Sequence, residues 1–161
     1  RQIGGKRHVD FRVRAQEQLI RKTLDAAGID PAAVGMIEGH GTGTLAGDPV
    51  ELLALFKTYG AAGCTAPIGS IKSNLGHPQA ASGILGLIKL LLAGRHGAVP
   101  PTLFADNPTT MLDWDLTGLR LAAKLQDWEA SDGLRYGAVS SFGAGGANAH
   151  ALVAMPADPW G

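Results

Sequence analysis

The sequence predicts an α/β fold in which helices cover a sheet. Three observations carry this expectation. Short apolar runs of strand length alternate with segments of helical period. Three glycine-rich polar stretches each follow such a run. One segment, 79–93, is apolar nearly all round, as in a helix buried between layers.

Residues 1–14 mix charges without a clean period, so they are expected to form an arm or loop. From Ala15 to Ala27, Leu19, Ile20, Leu24 and Ala27 recur at helical spacing, and Gly28 stands where a C-terminal cap belongs. Asp30-Pro31 starts a turn. Val34 to Glu38 is a short, mostly apolar run, expected as a buried strand. Asp48 then reads as an N-cap, with Pro49 at the first helical position and Glu51 completing a capping box. That helix carries Val50, Leu53, Ala54 and Phe56 and ends near Gly60. Ala66 to Ser70 is a second short strand, and 71–77 a loop. Pro78 opens the apolar helix, which runs to about Ala93 with Gly94 after it. Prolines at 100, 101 and 108 mark a long irregular connection. Leu119–Leu121 is expected as an edge strand. Tyr136–Ser141 and Ala149–Ala154 are expected as strands joined by a tight turn over 142–148. The ordered domain is thus expected over 15–154, with 155–161 a tail or the start of a linker.

Composition excludes several classes. The 161 residues are 45% hydrophobic and 17% charged, enough apolar material for a core. Basic and acidic residues number 14 each, which argues against a nucleic-acid surface or a polybasic membrane anchor. A local basic patch for an acidic partner stays open. Cys64 is the single cysteine, so no internal disulfide can form, and a reducing cytoplasm is the natural expectation. No apolar signal region follows Arg1, and the lack of an initiator Met suggests a piece of something longer. The most apolar stretch, 84–93, falls short of the ~20 residues needed to span a bilayer.

The three glycine stretches hold His40, Thr42, Thr44, Lys72, Asn74, His77, Phe142 and Asn148. If each follows a strand, all can converge at one end of a sheet. A histidine taken alone is more often structural than functional, and His8, His96 and His150 are so assigned. The coincidence of His40, Lys72 and His77 in such loops is harder to dismiss. No G-x-x-x-x-G-K-[ST] phosphate loop exists, and Ala46 breaks the dinucleotide fingerprint begun at Gly41. No third ligand has metal-site spacing, and G-x-S-x-G is absent.

Three motifs then carry a resemblance. Glu38-Gly39-His40-Gly41-Thr42-Gly43-Thr44 with Gly47-Asp48-Pro49-Val50-Glu51 resembles the first histidine motif of polyketide β-ketoacyl synthases. Gly69-Ser70-Ile71-Lys72-Ser73-Asn74-Leu75-Gly76-His77 with Ala80-Ala81-Ser82-Gly83 resembles the second. Ser140-Ser141-Phe142-Gly143-Ala144-Gly145-Gly146-Ala147-Asn148-Ala149-His150 resembles the C-terminal glycine motif, in the form used by modular type I polyketide synthases. The resemblance runs from about Val13 to Val153. It implies the second half of a thiolase-like fold: a mixed five-stranded sheet covered by helices, with a buried central helix.

The resemblance also implies chemistry. A ketosynthase holds an acyl chain on cysteine, decarboxylates malonyl on an acyl carrier protein, and joins the two. His40 and His77 would hold the enolate oxygen, and Lys72 would orient the histidine loops and supply positive charge. Phe142 would be the gate, with its backbone N–H in the oxyanion hole, and Gly143, Gly145 and Gly146 would let that backbone come close. Thr42 and Thr44 would bond the phosphopantetheine arm carried by the acyl carrier protein; no cofactor is expected on the chain itself. Asn148 would tie the turn, and Asp48 and Glu51 would serve as helix caps. The family's cysteine motif is absent, and Cys64 is read as structural, so the nucleophile is expected on an N-terminal half. The complete ketosynthase is expected to be a homodimer, and this half alone is expected to be unstable as a monomer. The alternative is a non-catalytic scaffold or carrier-docking module.

Overall fold

The computed structural model describes residues 3–158, with side chains from residue 9 onward. Helix α1 spans Ile3–Ala27. It begins inside the segment expected to be a loop. The cause is a stripe that starts before Ala15: Val13, Gln16, Ile20 and Leu24 are all buried, while Asp10, Arg12 and Arg14 face water. Gly28, at φ +62, ends the helix as expected.

Strand β1 is Val34–Glu38, helix α2 is Gly47–Thr58, and β2 is Pro67–Gly69. The segment expected as a loop contains a single-turn helix, α3, at Lys72–Leu75. A 3-10 turn at Gln79–Ala81 leads into α4, Ser82–His96. Helix α4 passes Gly94 and stops at Gly97, which has the left-handed conformation, φ 62. Strand β3 is Ala98–Val99, α5 is Trp114–Thr117, β4 is Arg120–Leu121 and β5 is Gln126–Asp127. Strands β6, Leu134–Phe142, and β7, Asn148–Pro156, form the closing hairpin.

The main sheet has five strands in the order β4-β2-β1-β6-β7. Strands β4, β2, β1 and β6 run parallel, and β7 is antiparallel to β6. The expected mixed five-stranded sheet is therefore present. Strands β3 and β5 form a separate antiparallel pair that the sequence did not reveal. Helices α1 and α2 build one core with Ile37, Ile68 and Ala138, around Tyr59, Ile20 and Leu55. Helix α4 builds the other with Met36, Val139, Trp128 and Met155, around Leu90.

Helix α4 is buried on one side only. Ser82, Gly86, Leu90 and Ala93 face the sheet. Ile84, Ile88, Leu91 and Leu92 are exposed. The all-round apolar pattern suits a helix between two layers, and this chain supplies one of them.

Candidate functional site

Parallel pairing places the C-terminal ends of β1, β2 and β6 on one edge, and the three glycine loops leave from there. His40 follows β1, Lys72 opens α3 after β2, and Phe142 ends β6. The side chains meet. The His40 and His77 rings stand edge to face with centroids 5.8 Å apart. His40 and Phe142 are 6.1 Å apart in a similar arrangement. Lys72 Nζ lies 3.4 Å from His40 Nδ1.

These contacts fix the imidazole protons. An ammonium only donates, so the Lys72 contact makes His40 Nδ1 an acceptor and puts the ring proton on Nε2. The peptide N–H of Gln79 donates to His77 Nδ1 at 3.0 Å, with the same result for His77. Gln79 adopts φ 52, a left-handed conformation that L side chains rarely take, in order to make that turn. Both rings thus keep an Nε2–H free to donate. Burial, with Lys72 and His77 adding to it, lowers His40 to about 4, so the ring is neutral near pH 7. Burial also lowers the Lys72 ammonium, against the opposing pull of Glu51 and Glu38.

Two clefts flank the cluster. One of about 730 Å³ is lined by His40, His77, Phe142, Thr42 and Thr44. Another of about 470 Å³ is lined by Lys72, His77, Thr42 and the connection around Leu103 and Phe104. Thr42 Oγ1 and Thr44 Oγ1 lie 3.1 Å apart, and Thr44 Oγ1 accepts the Gly47 N–H. The Gly143 N–H donates to Ala147 O at 2.7 Å within the hairpin turn. The Gly143 N–H is thus spent within the turn. Asn148 pairs with Phe142 as the last rung of the hairpin.

The capping expectation for Asp48 and Glu51 needs correction. Helix α2 starts at Gly47, after Ala46, with no side-chain cap. Asp48 Oδ1 instead accepts the Gly43 N–H at 3.0 Å. Buried Glu51 accepts the N–H groups of His40 at 2.6 Å and Gly41 at 2.8 Å. The loop after β1 exposes backbone donors that no strand satisfies, and these carboxylates satisfy them. Gly41 has φ +48, and a Cβ there would sit 2.7 Å from Ser70 Cβ, so the two loops close on a glycine.

Cys64 is buried, donates to Val34 O and has its thiol pushed up by burial, all consistent with a structural residue. His150 is buried between Tyr59 Oη at 2.8 Å and Ser140 Oγ at 3.0 Å, away from the clefts. Among the described residues, no group of three His, Cys, Asp or Glu side chains is placed to hold a metal ion. No helix there is long and apolar enough to cross a membrane.

A thiolase-like half with two histidines and a lysine at the ends of its parallel strands defines a ketosynthase-type domain. Comparison with known proteins agrees. Residues 4–106 match the family model described as β-ketoacyl synthase, C-terminal domain, and the chain belongs to that family. It is 45% identical over 148 residues to polyketide synthase GfsA of Streptomyces halstedii, covering 90% of this chain and 2% of that one. It is 45% identical over 142 residues to erythronolide synthase EryA3 of Saccharopolyspora erythraea, covering 86% and 4%. Among solved structures, the oxazolomycin ketosynthase domain OzmH KS7 of Streptomyces albus JA3453 superposes with a TM-score of 0.82 at 41% identity. That match covers 89% of this chain and 27% of the other. The ketosynthase from module 6 of the bacillaene synthase of Bacillus subtilis 168 gives 0.82 at 37% identity, covering 88% and 26%. The chain therefore spans about a quarter of each ketosynthase structure and a few per cent of the synthases.

Proposed function

We propose that this chain is the C-terminal half of a polyketide ketosynthase and supplies the decarboxylation machinery for Claisen condensation. The observation that carries this reading is the meeting of His40, His77 and Lys72, with both Nε2–H groups unspent. An N-terminal half supplies the nucleophilic cysteine, and an acyl carrier protein delivers malonyl on phosphopantetheine. The bond between the malonyl carboxylate and Cα breaks, CO₂ leaves, and the electron pair moves onto the thioester oxygen. The two Nε2–H groups hold that oxygen where negative charge develops. The enolate carbon then attacks the acyl thioester on cysteine, and the thiolate leaves. The Phe142 backbone N–H serves the oxyanion of that second step, and the Phe142 ring gates the cleft. Lys72 orients His40 and offers positive charge to the departing carboxylate. The Thr42 and Thr44 hydroxyls, facing the larger cleft, suit the amides of a pantetheine arm.

The test is CO₂ release from malonyl-carrier protein by the complete ketosynthase. His77→Ala is expected to lower it ~100- to 1000-fold, the usual cost of one such donor. Unchanged release would remove His77 from this role.

A further inference from the structure

Glu38 ends β1 next to the Gly39-His40 pair, yet its side chain turns away from the clefts. A register shift between Val34 and Met36 sets its direction. Val34 and Ile37 stay in the α1/α2 core, Met36 joins the α4 core, and Glu38 follows on the α4 side. There its Oε2 accepts from Lys89 Nζ at 2.6 Å and its Oε1 accepts the Ile71 N–H at 2.6 Å. Both side chains are nearly closed off from solvent. Lys72, the next residue after Ile71, reaches His40. One carboxylate thus joins the strand that carries His40, the turn that carries Lys72, and the middle of α4.

We propose that Glu38 and Lys89 are positioning residues of this site, the carboxylate setting the Lys72 turn against His40 through the Ile71 N–H and Lys89 holding that carboxylate in place. The proposal rests on the ketosynthase reading above. Stability alone is a poor reason for such a pair, since apolar replacements of buried ion pairs are often neutral or stabilising. A carboxylate accepting a backbone N–H gives a short, directed bond. The packing leaves room for it. A Cβ on Gly86 would lie 3.2 Å from Glu38 Cγ, and one on Gly69 would lie 3.2 Å from Lys89 Nζ.

Two double variants of the complete ketosynthase separate positioning from glue. E38Q/K89M and E38A/K89M both remove the unpaired charge, but only the first keeps an acceptor for Ile71. Thermal melting, kcat for malonyl-carrier decarboxylation, and deuterium exchange over residues 67–76 are measured for each. E38Q/K89M, which keeps only a neutral acceptor and no lysine to hold it, is expected to have a kcat between those of wild type and E38A/K89M. E38A/K89M is expected to lose about 10- to 100-fold in kcat with KM little changed, the scale of a misplacement of about 1 Å, and to exchange faster at Ile71. Wild-type kcat and exchange in a folded E38A/K89M would overturn the proposal. If E38A/K89M does not fold, K89M and K89R decide. Glu38 faces Lys89 of α4, Lys72 of α3 and the Ile71 N–H, and burial already raises its carboxyl. Losing the Lys89 ammonium raises it further, so K89M should need a higher pH than wild type to reach full kcat, and K89R should restore the profile. Identical profiles for K89M and wild type would overturn it too. If wild type itself releases no CO₂, the ketosynthase reading fails, while the exchange measurement still tests the Glu38 anchor.

Discussion

Glu51 holds the peptide N–H of His40 at 2.6 Å with one carboxylate oxygen, and its other oxygen holds Gly41. A side chain on α2 thereby fixes the loop that presents the His40 ring. Glu51→Gln keeps one acceptor but aims an NH₂ at the other donor. The expected cost is about 1–3 kcal/mol of stability, with lower decarboxylation, read by thermal melting and CO₂ release. Burial lifts this carboxyl to about 7 against the two N–H bonds. A raised folded pKa means a contribution present below about 4.5 and lost as pH rises through about 7. The wild-type lead over E51Q should therefore narrow across that range; a lead that widens would contradict the assignment.

Much of this site was legible in the sequence, because a glycine run after an apolar run marks a strand end and parallel strands share one edge. His40, Lys72, His77 and Phe142 were found that way. The functions of Asp48 and Glu51 were not. Their spacing is that of a capping box, and only the early start of α2 frees them for the loop. The aim of Glu38 depends on a register shift that no period reveals. One signal was available: Lys89 stands alone among leucines in α4, and a charge so placed calls for a buried partner. Tyr59 and His150 lie 91 positions apart, beyond any local pattern.

The neutral state of His40 makes a kinetic prediction. An imidazole of ordinary pKa, about 6.5, would cost roughly tenfold in active form by pH 5.5. With His40 lowered to about 4, decarboxylation by the complete ketosynthase should show no acid limb from this ring between pH 6.5 and 5. A steady tenfold loss over that interval, abolished in His40→Gln with its lower residual rate, would refute the neutral assignment.

The buried set Tyr59–His150–Ser140 predicts acid lability of the fold. Burial lowers His150 to about 4. A depressed histidine contributes stability that is present above about 6.5 and lost as pH falls towards 4, because the unfolded chain takes the proton first. The full difference is worth at most about 3–4 kcal/mol. His150→Gln should melt below wild type at pH 7.5, since it breaks bonds to Tyr59 and Ser140, and should lose less on acidification to pH 5. Parallel pH dependences for the two proteins would show that His150 is not the titrating group.

The outer face of α4 predicts the behaviour of this chain when it is made alone. Ile84, Ile88, Leu91 and Leu92 are exposed along one side, while the opposite side is packed on β6 and β7. These side chains are already about half covered, so covering the rest of each is worth roughly 1 kcal/mol, and four together form a drive towards any apolar surface. In the complete ketosynthase proposed above, this face is expected to be where the N-terminal half packs. Without it, the chain should self-associate, bind a hydrophobic dye and sediment as oligomers. Ile88→Lys with Leu92→Lys should lower dye binding and self-association, because both residues point to water and their replacement costs little in the folded half. The same pair placed in the complete ketosynthase should do the opposite and weaken it, since two ammonium groups would then be buried without partners. A monodisperse monomer of the wild-type chain with no dye binding, or a complete ketosynthase indifferent to the two lysines, would mean that this face is open to solvent in the working protein.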